Sequence, residues 1–139
     1  MDDYLAAAPL IVARLNERIG NVTIKPVWGM PRIQETFDLP PAVWVFLEED
    51  RPGQANLLED GVSQRVEQIW LCLMVVNDAE HEAGLLISQI IAALNGWQPA
   101  GETFAPFTRV KSTFAPDHSP TGMYYFPVAF STHFVFQKD

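Results

Sequence analysis

The sequence has one cysteine, few basic residues and no apolar run long enough to cross a membrane. Cys72 lies inside an apolar stretch and cannot form an intrachain disulfide, so we predict an inert, buried thiol. The nine Lys and Arg residues are outnumbered by 17 Asp and Glu, and the net charge of −8 argues against a surface for sequence-specific nucleic-acid binding. The longest apolar run, residues 69–76, is far shorter than a membrane-spanning helix. Acidic residues follow the first methionine where a signal peptide would be basic, so we expect a soluble, cytoplasmic protein.

The histidines and acidic residues do not form a metal-binding motif. His81, His118 and His133 are far apart in sequence, whereas metal sites usually take two ligands from nearby positions. Glu80, His81 and Glu82 are adjacent, but consecutive residues of a helix point in different directions and cannot chelate one ion together. We therefore predict no metal site and interpret these three residues as the solvated start of a helix.

The sequence also lacks a recognisable catalytic or cofactor-binding motif. Asp117, His118 and Ser119 are the residue types of a catalytic triad, but triad side chains converge from different elements rather than from adjacent positions. The acidic residues 48–50 lack the spacing of a calcium loop, and no phosphate-binding glycine loop or dinucleotide fingerprint is present. We predict neither catalytic residues nor a cofactor.

Composition points instead to contacts with other subunits. Apolar residues make up 48% of the chain and charged residues only 19%, so part of the apolar surface is expected to be buried between copies. Arg109 and Lys111 lie two residues apart on one face of a weak strand pattern. In so acidic a chain, we interpret them as partners for carboxylates, including those of a neighbouring copy.

The clearest local signal is a strand followed by a helix in residues 66–96. The apolar run 69–76 is typical of a strand buried on both faces in the middle of a sheet. Asn77 or Asp78 can cap the helix that follows. The apolar residues of this helix recur at helical spacing, namely Ala83, Leu86, Ile87, Ile90 and Leu94. Gly96 ends it, because glycine readily adopts the left-handed conformation found after helix C-termini.

The rest of the chain predicts one more helix and four more strands. The first helix extends to about residue 19 with Asp2 or Asp3 as its cap, and Pro9 either begins its regular part or bends it. The strands are predicted at residues 22–27, 42–47, 107–114 and 124–136. Loops are predicted at residues 28–41, 48–63, 97–106 and 115–122.

These elements follow the order α-β-β-β-α-β-β. We predict one α+β domain spanning residues 1–139, with two helices packed on one face of a mostly antiparallel sheet of four to five strands. In residues 124–136, large apolar side chains alternate with smaller and more polar ones. The alternation directs the large side chains toward the helices and leaves the other face for solvent or a partner.

Several short phrases of the sequence resemble one protein family. They are the opening Asp-Tyr-Leu-Ala-Ala-Ala-Pro-Leu helix, the Pro-Ala-Val-Trp-Val strand, the acidic Pro-Gly segment, the Gln-Ile-Trp-Leu-Cys-Leu-Met-Val-Val strand, the helix ending in Leu-Asn-Gly-Trp and the late Tyr-Tyr-Phe-Pro-Val-Ala-Phe. In these phrases and their order, the chain resembles the tail terminator (tail completion) proteins of long-tailed bacteriophages and prophages, particularly the Mu-like group.

The resemblance implies a structural virion protein that is not an enzyme. Its partners would be further copies of itself in a hexameric ring, the tail tube protein and the head–tail connector protein. The ring would stop polymerisation of the finished tail tube and present a surface to the connector. The protein would assemble in the host cytoplasm and then belong to the virion tail. The resemblance transfers no individual catalytic or interface residue.

Two alternatives stay open from the residues alone. One is a small-molecule binding module, with a pocket between the aromatic face of residues 124–136 and the helices, lined by Trp44 and Trp70. The other is an enzyme centred on His118, in which His118→Ala should abolish an activity. A structural role is favoured over both because the sequence offers core, loops and sheet edges but no converging chemistry.

Overall fold

The fold is a six-stranded sheet with two helices, which confirms the predicted α+β class. It was obtained as a computed structural model that describes residues 3–28, 40–58, 61–101, 103–120 and 122–138, without the side chains of Leu58 and Lys138. The elements in chain order are α1 (Ala7–Arg18), β1 (Thr23–Pro26), β2 (Ala42–Leu58), β3 (Gly61–Val76), a π-helical turn (Ala79–Ala83), α2 (Gly84–Leu94), β4 (Thr108–Val110), β5 (Asp117–His118) and β6 (Tyr124–Lys138).

The sheet is antiparallel except at one pair of strands. Its order is β1-β2-β3-β6-β4, the short β5 also pairs with β6, and among the described strands only β1 and β2 run parallel. The sheet thus has six strands rather than four to five, because β5 forms within residues 115–122, which were predicted as a loop. Central β3 pairs with β6 in continuous register from Val62 opposite Lys138 to Val76 opposite Tyr124.

Strand β3 is central because its residues are apolar on both faces. One face packs with both helices in a core that includes Trp70, Met74 and, on β6, Phe130. Cys72 belongs to the same core, and burial raises the pKa of its thiol to about 12, which confirms the predicted inert thiol. The large residues of β6 face the helices as predicted, including Phe126, Val128, Phe130 and Phe134.

The opposite face of the sheet carries a second buried core, which was not predicted. Its residues are Ala42, Trp44, Phe46, Ile69, Leu71, Leu73, Val75, Tyr125 and Ala129. Val110 and Met123 pack against it, and the ring of Phe114 contacts that of Phe46 edge-on. The smaller face of β6 is therefore exposed only near its end, at His133, Val135 and Gln137.

The capping signals of the sequence hold for the second helix but not for the first. The N-cap of α1 is Ala6, which has no side-chain cap, so the predicted cap at Asp3 was wrong: a side-chain oxygen of Asp3 accepts from the Leu5 N–H in the turn before the helix, and Asp2 lies outside the described residues. Pro9 lies in the first turn of α1, where its missing N–H leaves no helical bond unmade, so the helix does not bend there. Asp78 caps the π-helical turn that leads into α2 by accepting from the His81 N–H. Gly96 has a φ of 81°, which confirms its predicted left-handed conformation.

The predicted loop at residues 48–63 was wrong, because β2 and β3 continue through most of it. The two strands pair from Ala42 opposite Val75 to Leu58 opposite Gly61, with register shifts at Leu47/Glu49 and Pro52/Ala55. Residues 51–57 are exposed. These residues are polar because solvent surrounds this part of the strand, so their composition does not indicate a loop. The predicted loop at residues 28–41 falls largely on residues 29–39, outside the described part of the chain.

One glycine makes this long hairpin possible. A Cβ atom placed on Gly53 would lie 2.9 Å from the backbone oxygen of Arg65, so the two strands would have to move apart. We expect Gly53→Ala to lower the free energy of unfolding by about 1–3 kcal/mol and to weaken amide protection in residues 52–66. Denaturant unfolding and hydrogen exchange measure both effects. Gly20→Ala is the control, since its Cβ would meet nothing within 4 Å. Equal stability of the two variants would contradict the close approach.

Candidate assembly surface

Three strands continue past the rest of the sheet. We call this part the extension: residues 52–58 of β2, 61–66 of β3 and 134–138 of β6. β1 pairs with β2 only as far as Val45, and β4 pairs with β6 only from Ala129 to Ser131. Within the described chain, both outer strands of the extension therefore have an edge that no other strand covers. Unpaired edges are ready-made templates for strand pairing with another chain.

The two edges differ in regularity. The β2 edge begins at Pro52, which lacks an N–H, and has one register shift between Pro52 and Ala55, but residues 55–58 then pair with β3 in continuous register. The β6 edge keeps its register to the end and contains neither proline nor glycine. Exposed apolar side chains lie on both outer strands, with Leu57 83% and Val135 50% exposed.

A buried polar network joins the base of the extension to the segment before α1. The fully buried Gln68 donates from its amide to the Tyr4 backbone oxygen and to Asp50, and accepts from the Trp70 indole. The Tyr4 hydroxyl donates to both carboxylate oxygens of Asp50, at 3.0 and 3.1 Å. Partial burial, this hydrogen bond and the Asp50 charge raise the pKa of Tyr4 to about 12. The Tyr4 ring also packs edge-on against Phe134.

On the face of the sheet opposite Gln68 and Asp50, a row of charged and polar side chains crosses strands β2, β3 and β6. Arg51 pairs with Glu49 and with Glu67, the latter at 3.1 Å, and the Ser131 hydroxyl donates to Glu67 at 2.9 Å. The Ser131 hydrogen bond, the Arg51 contact and the nearby His133 lower the pKa of Glu67. These contacts link the side chains of β2, β3 and β6 where the extension begins.

The lowered pKa of Glu67 predicts that its carboxylate stabilises the fold at neutral pH and that this stabilisation is lost in acid. A group whose pKa is lower in the folded state stabilises the fold above its unfolded pKa and loses that effect as pH falls through the folded pKa. We expect Glu67→Gln to be less stable than wild type at neutral pH, with the difference shrinking in the acidic range where carboxylates titrate. Melting temperatures measured across that range test this. Two parallel curves would mean that Glu67 titrates alike in both states.

Arg109 lies on β4, on the far side of the sheet from β2, whereas Lys111 precedes Ser112, whose hydroxyl donates to Glu48 of β2 in the same chain. The predicted strand at residues 107–114 is only the three residues of β4, so Lys111 follows the strand end. Both side chains are exposed and line one surface cavity of about 290 Å³ with Phe114 and Phe126. Among the residues that the structure describes, no ion pair involves either cation. Their predicted carboxylate partners are therefore not found within the described chain.

The structure does not gather the other candidate residues into a reactive site. The Ser119 hydroxyl is buried and accepts from the Met123 N–H at 3.0 Å, whereas the His118 ring stacks on Tyr124. His81 contacts the Asp78 carboxylate at 2.8 Å at the start of the π-helical turn. In the described ranges, no group of three His, Cys, Asp or Glu residues could hold a metal ion.

The space between the helices and β6, where a ligand pocket was considered, is filled by side chains. Trp70, Phe107 and Phe130 have no exposed surface and pack in one core with both helices. Trp44, which the alternative placed beside Trp70, lies on the opposite face of the sheet in the second core. The two tryptophans therefore do not line a common pocket, and the structure does not favour a small-molecule binding module.

Sequence reasoning identified Arg109 and Lys111 but missed the extension. A signal for it was present: Asp60-Gly61 is a dipeptide typical of tight hairpin turns, and Gly61 is the first residue of β3. No helix in the described ranges is long and apolar enough to cross a membrane.

Comparison with known proteins identifies the family. Among individually curated proteins, none matches the chain. The family model described as phage tail terminator protein matches residues 1–139, the whole chain. This match supports the resemblance noted in the sequence and a structural role in the phage tail. The chain belongs to the phage tail terminator family.

Proposed function

We propose that this chain is a single domain that assembles into a hexameric ring on the end of the tail tube. The ring halts polymerisation of the tube and offers a surface to the head–tail connector. The observation that carries this proposal is the pair of open sheet edges on opposite sides of the extension. A ring requires two different, complementary surfaces on each subunit, so that each copy contacts the next head to tail until the circle closes.

The charge balance of the chain supports a ring around a channel. The net charge of −8 makes a surface that repels phosphate, so DNA can slide past without being held. A channel lined mainly by Arg and Lys would refute this part of the proposal. The partners of the ring are further copies of the chain, the tail tube protein and the connector protein. Assembly takes place in the host cytoplasm, and we also propose that the chain comes from a Mu-like phage or prophage.

Two measurements test the proposal. The first is mass in solution by light scattering on a size-exclusion column, at rising concentration and with or without Mg²⁺. A hexamer, or a monomer that shifts toward one, supports the ring. The second is tail length, by electron microscopy, in phage that lack the gene. Overlong tubes that return to normal length on complementation support the stop of polymerisation, and tails of normal length without the protein refute it.

A further inference from the structure

The backbone of β6 presents free hydrogen-bonding groups along its outer edge. The His133 carbonyl accepts from the Ala105 N–H at 3.0 Å, so the polar backbone groups of His133 point away from β3. Alternate residues of an antiparallel strand direct their N–H and C=O groups to the same side. Val135 and Gln137 therefore point theirs outward as well, where no strand of the described chain pairs with them.

This edge borders an open cavity that can receive a strand. The cavity holds about 420 Å³ and is lined by Arg65, Gln98, Thr103, Phe104, Ala105, His133, Phe134, Val135 and Gln137. It combines outward backbone groups with an exposed apolar side chain, Val135, and with the basic side chain of Arg65. An incoming strand would be held by backbone hydrogen bonds, and acidic side chains on it would be favoured.

The other open edge of the extension has the matching chemistry. β2 carries Glu49, which is partly exposed and pairs with Arg51, and, further along, the exposed Leu57. These features complement the basic and apolar groups beside β6. Because the two edges lie on opposite sides of the same three strands, a contact between them joins copies head to tail.

We propose that the outer edge of β6, residues 134–138, pairs as a strand with the outer edge of β2 in a second copy of this chain. The inference rests on the proposed ring and names the contact that builds it. The sheet of one subunit then continues into the sheet of the next. Glu49 of β2 then faces the Arg65 side of β6, which sets the polarity of the contact.

Proline at position 135 tests the pairing directly. Val135→Pro removes an outward N–H that has no partner within the described chain, and an edge strand tolerates proline at such a position. We expect a folded monomer whose dissociation constant for self-association rises by roughly tenfold or more. Val135→Thr is the matched control, because it keeps both the N–H and the β-branched shape. Circular dichroism and light scattering on the full chain measure fold and association.

The outcomes separate this contact from the proposed ring. Loss of association in Val135→Pro but not in Val135→Thr supports the edge pairing. If both variants form the wild-type ring, the edge pairing is overturned and the ring stands. A wild-type protein that stays monomeric at every reachable concentration also overturns the pairing, since this contact needs only the chain itself. The tail-length measurement then decides the capping function separately.

Cross-linking provides a second test that does not depend on proline. Val135→Cys and Asn56→Cys are made as separate variants, because within one copy the two positions lie on the same face of the extension, where a linker could join them across β3. In an equal mixture of the two variants, a short bis-maleimide should join unlike copies into covalent dimers. The native Cys72 is fully buried and will not react. Each variant alone is a control and should give far less dimer. Absence of mixed dimers from an assembled mixture would contradict the pairing.

Discussion

Replacing Arg109 and Lys111 together with glutamate should leave the protein folded but unable to form a ring. Both side chains are exposed, and neither has an ion-pair partner within the described chain. If they meet the partly exposed Glu49 of the next copy, reversal places like charges together across the contact. Such juxtaposition costs several kcal/mol, so association should weaken by about a hundredfold or more at low salt. Light scattering at low and high salt measures the loss and its screening.

A variant with the opposite charge change on β2 tests the same contact from the other subunit. A protein with Glu49→Lys should also fail to assemble alone, because both surfaces of the contact are then basic. Mixed in equal amounts, the two variants should alternate around one ring, since every contact again joins opposite charges. Arg18→Glu is the control, because it reverses an exposed charge on α1 and should leave assembly unchanged. Failure of the mixture to assemble would mean that these charges do not meet across the contact.

The core of the fold could be predicted from the sequence because it depends on local patterns. The unbroken apolar run 69–76 gives the central strand, and the alternation in residues 124–136 gives β6 and its helix-facing side. The ends of the second helix could also be predicted, because the hydrogen bond of Asp78 and the backbone conformation of Gly96 are local features. Each of these patterns lies in a short stretch of chain, so it indicates the local backbone conformation without knowledge of distant residues.

The extension could not be predicted in the same way. Residues 51–57 are solvated, so the strand lacks the apolar alternation that marks a half-buried strand. What fixes it is pairing with β3, which in turn pairs with the distant residues 134–138. The second core was missed for a related reason. Trp44 and Leu73 lie in apolar runs that show burial on two faces, but not which segment covers the second face.

Replacing Gln68 with leucine should cost more stability than any change on the exposed part of the extension. Gln68 is fully buried and contacts Tyr4, Asp50 and Trp70 through three hydrogen bonds. Leucine leaves the Trp70 indole N–H buried without this acceptor and removes the bridge between Tyr4 and Asp50. A buried polar group that loses its partner costs about 1–3 kcal/mol, so we expect a total loss of about 3 kcal/mol. Denaturant unfolding of the dilute protein measures it.

The matched control is Gln64→Leu, the same substitution four residues earlier in β3. Gln64 donates to the Gly53 carbonyl near solvent, so its loss should cost less than about 1 kcal/mol. The contrast tests how the extension is held. If Gln68 joins the extension to the segment before α1, Gln68→Leu should also increase hydrogen exchange at Tyr4 and residues 50–52, whereas Gln64→Leu should not. Equal losses in the two variants would show that the extension is held by strand pairing alone, with no contribution from the network at its base.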